Sequence, residues 1–315
     1  MWSLNKPRNI EKTGDDRPVD TLLEYVWRMS GKHQIFICLI AAIVGALSMA
    51  PLELQRRIVN TAVEQGDLVL LLNLGAVFAG VLVLQGGLKF FLRMYQGWLS
   101  ESAIRYCRGH LASLRNESQS NNGENGSRIA VITAEVDKLG GFVGEGLSQP
   151  IVNSGMLIAI AIYMLIVDPL VAGLSFLFLI PQAVLVPVVQ KWINALIEKR
   201  LSLIRNLSDS LSNDQDESGA GKEYTLMDSV FSNRMKTFLL KFAMKAIINF
   251  LNAMAPLTVL VVGGYFVVQG ETEIGIVVAF MSGFDKLSDP VRELISFYRI
   301  AAQAAVQHRM IAKWM

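Results

Sequence analysis

Charge is what this sequence has least of. Only 18% of the 315 residues are Asp, Glu, Lys or Arg, against about 25% in ordinary soluble domains. Hydrophobic residues make up 52% of the chain and the mean hydropathy is +0.39. The formal net charge is +2, too small to mark nucleic acid as a partner. There are two cysteines, Cys38 and Cys107, far apart in the chain. Neither a disulfide framework nor a cysteine metal cluster follows from them. The three histidines, His33, His110 and His308, are scattered. No H-E-x-x-H or G-x-S-x-G occurs, so metallopeptidase and serine-hydrolase chemistry lack their motifs.

A phosphate-gripping loop is approached once and missed. Residues 217–224 read ESGAGKEY. A P-loop needs G-x-x-x-x-G-K-[ST], because glycines let backbone N–H groups wrap the phosphates and the last hydroxyl holds magnesium. Asp216 occupies the first glycine position and Glu223 the hydroxyl position. Two carboxylates there repel phosphate, and no other match to the motif occurs in the sequence. The expectation is a chain that is not itself an enzyme.

What is present is apolar length. A spanning helix needs ~20 mostly apolar residues to cross a hydrocarbon core of ~30 Å. Six stretches qualify, at about 34–54, 68–88, 150–167, 170–189, 246–268 and 273–292. The first twenty residues are polar and charged, with no apolar core ahead of a small-residue cleavage site, and so form a tail and not a signal peptide. TLLEYVWRMSGKH follows at 21–33 and mixes apolar with charged residues, as a segment at the membrane surface does. Of the 29 Lys and Arg, only Arg56 and Arg57 fall in the three short connections between paired spans. Basic residues near helix ends stay on the cytoplasmic side, so both termini are expected inside. The Asn-x-Ser triplets at Asn116, Asn125 and Asn206 then face away from the glycosylation machinery.

The two inner connections keep helical spacing well past the bilayer, through FLRMYQGWLSESAIRYCRGHLASL and KWINALIEKRLSLIRNLSDSLS. Each then meets a patch that breaks a helix, SQSNNGENGS at 118–127 and SNDQDESGAG at 212–221. A second helix is expected to lead back to the membrane from each patch. ESGAGKEY therefore belongs at the tip of a long helical hairpin.

Six spans, two long inner hairpins and short outer turns resemble the transmembrane domain of ATP-binding cassette (ABC) exporters. Residues 21–310 carry this resemblance, with 1–20 as the tail and 311–315 as the end of the chain. APLELQRRIVNTAV is similar to the family's exit from its first span, with Asn60 where Asp is common. NGSRIAVITAEVDKL resembles the segment after the first hairpin tip, with Ala134-Glu135-Val136 in place of Asn-Asp-Val. Asp168-Pro169 matches the turn between spans three and four, and SDPVRELISFYRIAAQAAVQHRMI resembles the sixth span and its tail. The resemblance implies an all-α membrane protein with intracellular helical extensions. It also implies an ABC ATPase, which would bind the ATP and magnesium that this chain does not. Because the chain stops at Met315, that motor is expected on another polypeptide, in a bacterial inner-membrane exporter. Since the family's pathway is formed by twelve spans, a homodimer or a related six-span subunit is expected as well.

The resemblance places coupling to the ATPase at the hairpin tips, on Glu117, Asn121, Asn122, Glu124 and Arg128 and on Asp216, Glu217, Gly219, Gly221, Lys222, Glu223 and Tyr224. Charge inside the spans points to the pathway. Asp285, Lys286, Asp289, Arg292 and Glu293 lie ~18 to 30 Å inward from Glu273 at 1.5 Å per residue. Lipid-facing ions at such depth cost at least ~2.5 kcal/mol each on insertion scales, less near the inner interface. They are expected to face a partner helix or a watery cavity. Asp289 and Arg292, at i, i+3, are spaced to pair. Gln85, Lys89 and Arg93 form an i, i+4 stripe, and Gln149, Asn153, Asn249 and Asn252 offer similar polar stripes on spans three and five. For Lys89 and Arg93 the alternative is snorkelling to lipid headgroups. A transmembrane scaffold or sensor that kept the exporter fold, or a chain cut before its own motor, are the competing readings. Nothing in the sequence names a substrate.

Overall fold

The computed structural model describes residues 6–10, 21–117, 136–212 and 220–312, and every regular element among them is helical. Helix α1 is Leu22–Ser30. Thr21 caps it by accepting from Glu24 N at 3.3 Å. It stops at Gly31, whose φ of 54° lies in the left-handed region that suits glycine. Helix α2, Lys32–Ala46, passes through a single 3₁₀ turn at Leu47–Met49 into α3, Ala50–Asn60. Pro51 falls in the first turn of α3, where its missing N–H leaves no hydrogen bond unmade. A π-turn, Thr61–Gln65, closes on Gly66 at φ 59°.

Helix α4, Leu68–Glu117, is 50 residues long and contains no proline, so it reaches about 75 Å at 1.5 Å per residue. The Asp67 carboxylate caps it, accepting from Val69 N at 2.9 Å and Leu70 N at 3.2 Å. Next among the described residues come α5, Val136–Glu145, and α6, Ser148–Val167. Helix α7 is Pro169–Ser212, α8 is Ala220–Gln269 and α9 is Ile274–Ala312. The inner extensions expected from the sequence are therefore continuous helix to Glu117 and to Ser212.

Among the described residues, five helical segments are long and apolar enough to cross a membrane: Lys32–Val63, Leu68–His110, Val136–Val167, Pro169–Ser208 and Glu223–Gln269. They mark an integral membrane protein. The expected sixth span falls within α9, which is not among these five. Its charged residues from Asp285 onward lower its apolarity below that of the others.

The chain forms two compact units, residues 1–168 with 273–315, and residues 169–272. The second unit is α7 and α8 packed along one another. Its buried positions are small or branched, among them Ala172, Ser175, Ala255 and Val259. Such residues let two backbones approach where packing, not hydrophobicity, holds helices together. Leu177, Ile180, Val184, Leu239, Phe242 and Phe250 remain exposed on it.

The first unit is a bundle of α1 to α6 with α9. At the end that holds α1, Tyr25, Val26, Met29, Leu99, Ile104, Leu139, Phe142 and Val143 form a continuous apolar core. Helices α4 and α5 meet there through glycines. A Cβ on Gly144 would collide with Ser100 Oγ and the Gln96 carbonyl, and one on Gly140 with Ile104. Gln96 Nε2 donates to Ser148 Oγ at 2.6 Å across the same contact.

Candidate functional site

The first unit has a vertical order that follows from where each residue lies along its helix. A cavity of about 620 Å³ opens in the half that holds α5, between α2, α4, α5, α6 and α9. That volume suits a drug-sized molecule. Val44, Leu92, Phe142, Val152, Met156, Phe297 and Ile300 supply apolar wall. Gln85, Lys89, Arg93, Lys138, Glu145, Gln149, Asn153, Asp289, Arg292, Glu293, Gln303 and Gln307 supply polar wall.

The charges are partly paired. Arg93 Nη1 donates to Glu145 Oε1 at 3.3 Å. With its amide oxygen turned to the guanidinium, Gln149 accepts from Arg93 Nη1 at 2.5 Å and Nη2 at 3.1 Å. Arg292 Nη2 donates to Asp289 Oδ1 at 2.8 Å, the i, i+3 pair expected from the sequence. Gln307 is only 3% exposed, yet its Oε1 has no hydrogen-bond partner among the described residues. A buried amide oxygen left unpaired costs about 1–3 kcal/mol, which a donor from a bound molecule or water would recover.

Toward the Glu53 end of the bundle the cavity gives way to an apolar plug. Phe280, Phe284, Leu287, Leu52, Ile160 and Met164 are almost fully buried. Gly283 stands where a Cβ would just touch Leu52, Met164 and Ile160, so α3, α6 and α9 converge on it. Tyr163 and Phe280 meet edge to face with ring centroids 6.5 Å apart.

Beyond the plug, where α3 meets the start of α9, lies a polar latch centred on Glu53. Its carboxylate accepts from Arg57 Nε at 2.6 Å and from Tyr163 OH at 3.1 Å, and pairs with Arg56 Nε at 3.2 Å. Asn60 bridges to the start of α9, donating to Glu273 Oε2 at 2.6 Å and accepting from Gly275 N at 2.8 Å. A side chain at 275 would strike the Arg56 carbonyl and Asn60. The latch ties α3, α6 and α9 together and neutralises Arg56 and Arg57, which lie within helix α3 and not in the short connection expected for them.

Seven of the ten residues expected at a pathway, Gln85, Lys89, Arg93, Gln149, Asn153, Asp289 and Arg292, line this one cavity. Asp285, one turn outward of Asp289, is exposed and does not line it. Asn249 and Asn252 stand on α8 in the second unit, the first exposed and the second half-buried. Sequence reasoning missed Lys138 and Glu145. They lie on α5, which was read only as a helix returning to the membrane. Their spacing of seven, two helical turns, was the available signal.

Of the residues expected to couple to an ATPase, Asn121, Asn122, Glu124, Arg128, Asp216, Glu217 and Gly219 lie outside the described residues. Glu117 is the last residue of α4. Gly221, Lys222, Glu223 and Tyr224 belong to the first turns of α8. Gly221 is thus helical. Glu223 sits in the first turn, where the helix dipole favours a carboxylate. Tyr224 is 71% exposed.

No family model matches this chain. A 51-residue stretch is 41% identical to YgaD of Bacillus subtilis (strain 168), described as a multidrug export ATP-binding/permease protein. The match spans 16% of this chain and 9% of that relative.

Proposed function

We propose that this chain is the transmembrane half of an ATP-driven exporter, powered by an ABC ATPase on a partner subunit. The observation that carries the reading is the order of the first unit. A cavity of mixed polarity lies toward the inner ends of its helices, a fully apolar plug follows, and a polar latch closes the outer ends. This is the arrangement of a carrier resting open to the side from which cargo is loaded. The partial likeness to a protein described as a multidrug export ATP-binding/permease protein supports transport as the class of function.

In this reading the cargo is an amphipath. Phe142, Phe297 and Met156 take its apolar part, while Lys89, Lys138 and Glu293 meet its polar groups. ATP and magnesium bind the partner. Closure of the motor moves the helical extensions, α4 ending at Glu117 and α8 beginning at Ala220, draws the inner ends together and parts the latch. A second copy of this chain, or a related six-span subunit, completes the pathway. Both termini lie in the cytoplasm of a bacterial inner membrane.

Coexpression with its neighbouring genes followed by purification in mild detergent tests the reading. The expected result is a copurifying ATPase whose turnover rises with amphipathic ligands, and ATP-dependent uptake by inverted vesicles. A chain that recruits no ATPase and supports no ATP-dependent flux is a scaffold, and the proposal then fails.

A further inference from the structure

The charges on the cavity wall do not cancel. Among the described residues, four basic side chains line it, Lys89, Arg93, Lys138 and Arg292, against three acidic ones, Glu145, Asp289 and Glu293. Two of the carboxylates are already taken. Glu145 pairs with Arg93 at 3.3 Å, and Asp289 with Arg292 at 2.8 Å. Lys89, Lys138 and Glu293 remain, and none of the three makes an ion pair with a described residue.

The two lysines stand at opposite ends. Asp137 pairs with Arg108 at 2.6 Å, so Lys138, the next residue, sits near the level of Arg108 on α4. Lys89 lies about 28 Å from that level along the same helix at 1.5 Å per residue. One small group cannot touch both. Positive charge gathers at the Lys89 end, where Lys286 of α9 comes close enough for its charge to oppose that of Lys89. Lys286 is half-buried and forms no ion pair with a described residue. The carboxylates near it on α9 do not compensate. Asp285 is exposed and paired with neither lysine, and Asp289 is held by Arg292. Glu293 is two turns on from Lys286, about 10 Å along the helix.

Amide groups flank the lysines. Arg93 meets Gln149 on α6, which runs antiparallel to α4, so one turn further along Lys89 comes level with Asn153. Gln85 follows one more turn along on the Lys89 face of α4. Gln85 and Asn153 both line the cavity, and neither is bonded to another described residue. An ammonium group only donates hydrogen bonds, and an amide N–H₂ adds two more donors. Like charges held near one another cost energy that a single anion between them recovers. Apolar wall adjoins this end through Val152 and Met156, and Phe142 and Phe297 stack further along with centroids 6.2 Å apart.

We infer that the cargo of this cavity is an anionic amphipath, one carboxylate, sulfonate or phosphate on an apolar body, whose anionic group is received by Lys89, Lys286, Gln85 and Asn153. The inference rests on the reading of the cavity as a cargo site and adds the sign of the cargo's charge. Glu293, further along the wall, disfavours a second negative group, so one anion per molecule is accepted.

Fluorescence titration of the purified full chain in phosphatidylcholine nanodiscs tests this, with empty nanodiscs as the blank. The probes are dansyl-labelled undecanoate, its neutral carboxamide and the matching cationic amine. The acid should bind tightest of the three. Lys89→Gln and Lys286→Gln should each weaken the acid about tenfold, the scale of one charge-assisted hydrogen bond. Both should leave the carboxamide unchanged, which a collapsed cavity would not. Glu293→Gln should tighten the acid, and Arg105→Gln, on α4 but outside the cavity, should alter neither probe. Competition by phosphatidylglycerol would name a lipid as the source of the anion and its absence a soluble amphipath, either outcome upholding the anion site. Equal binding of acid and carboxamide, preference for the amine, or an acid affinity indifferent to both lysine variants overturns the inference. ATP-driven flux of amphipaths without preference for the acid would overturn it alone. Preference for the acid in a chain that recruits no ATPase would overturn the exporter reading and leave the anion site standing.

Discussion

The two ends of the first unit are built by opposite means. At one end charged and amide side chains from three elements converge on Glu53 and Asn60. At the other the helices are held by apolar and glycine contacts, beside a cavity with incompletely paired charges. The difference teaches which contacts can part. A latch of hydrogen bonds and ion pairs is bistable, because water can replace each partner as it parts. A glycine-to-backbone contact such as Gly144 on Gln96 has no second packing of similar energy.

The contrast is broken most severely at the plug. Phe284→Ala removes a fully buried ring between latch and cavity, and should cost about 3–4 kcal/mol. It should appear as a large drop in thermal transition in detergent and as ligand leak through the outer end. Glu53→Ala comes next. It leaves Arg56 and Arg57 without their shared carboxylate, and for a half-exposed cluster should cost about 2 kcal/mol. Its signature is a shift toward the outward-open form, seen as raised labelling of a cysteine placed at 160.

Tyr163→Phe deletes one hydrogen bond to Glu53 and should cost about 1 kcal/mol, with the same direction of shift. Arg93→Gln is the smallest in stability, under about 1 kcal/mol because its pair with Glu145 is exposed. It should still weaken ligand binding measurably, which inverts the order found at the latch. A set in which Arg93→Gln destabilises more than Glu53→Ala would erase the distinction between the two ends.

Much of this arrangement was legible in residue order. Apolar runs gave five of the spans, and the absence of proline from 68–117 gave the unbroken α4. The i, i+4 spacing of Gln85, Lys89 and Arg93 put them on one face, and all three line the cavity. The expected sixth span was harder, since the charged residues of α9 lower its apolarity below that of the five. Contacts between distant residues were not legible at all. Asn60 with Glu273 spans 213 positions and Trp98 with Lys6 spans 92, and no local pattern encodes either. Nor does spacing on span five reveal that Asn249 and Asn252 belong to a separate unit, because a stripe fixes a face and not what that face meets.

The central claim is a cavity reached from the inner side and shut from the outer one. With Cys38 and Cys107 replaced, single cysteines at Asn153, in the cavity, and at Asn60, in the latch, would be probed with a membrane-impermeant maleimide in inverted and right-side-out vesicles. The account predicts that 153 reacts only in inverted vesicles and 60 only in right-side-out ones, with ATP and the partner ATPase exposing 153 to the outside. Reaction of 153 from the outer side in the resting state, or of both positions from the same side, would contradict it.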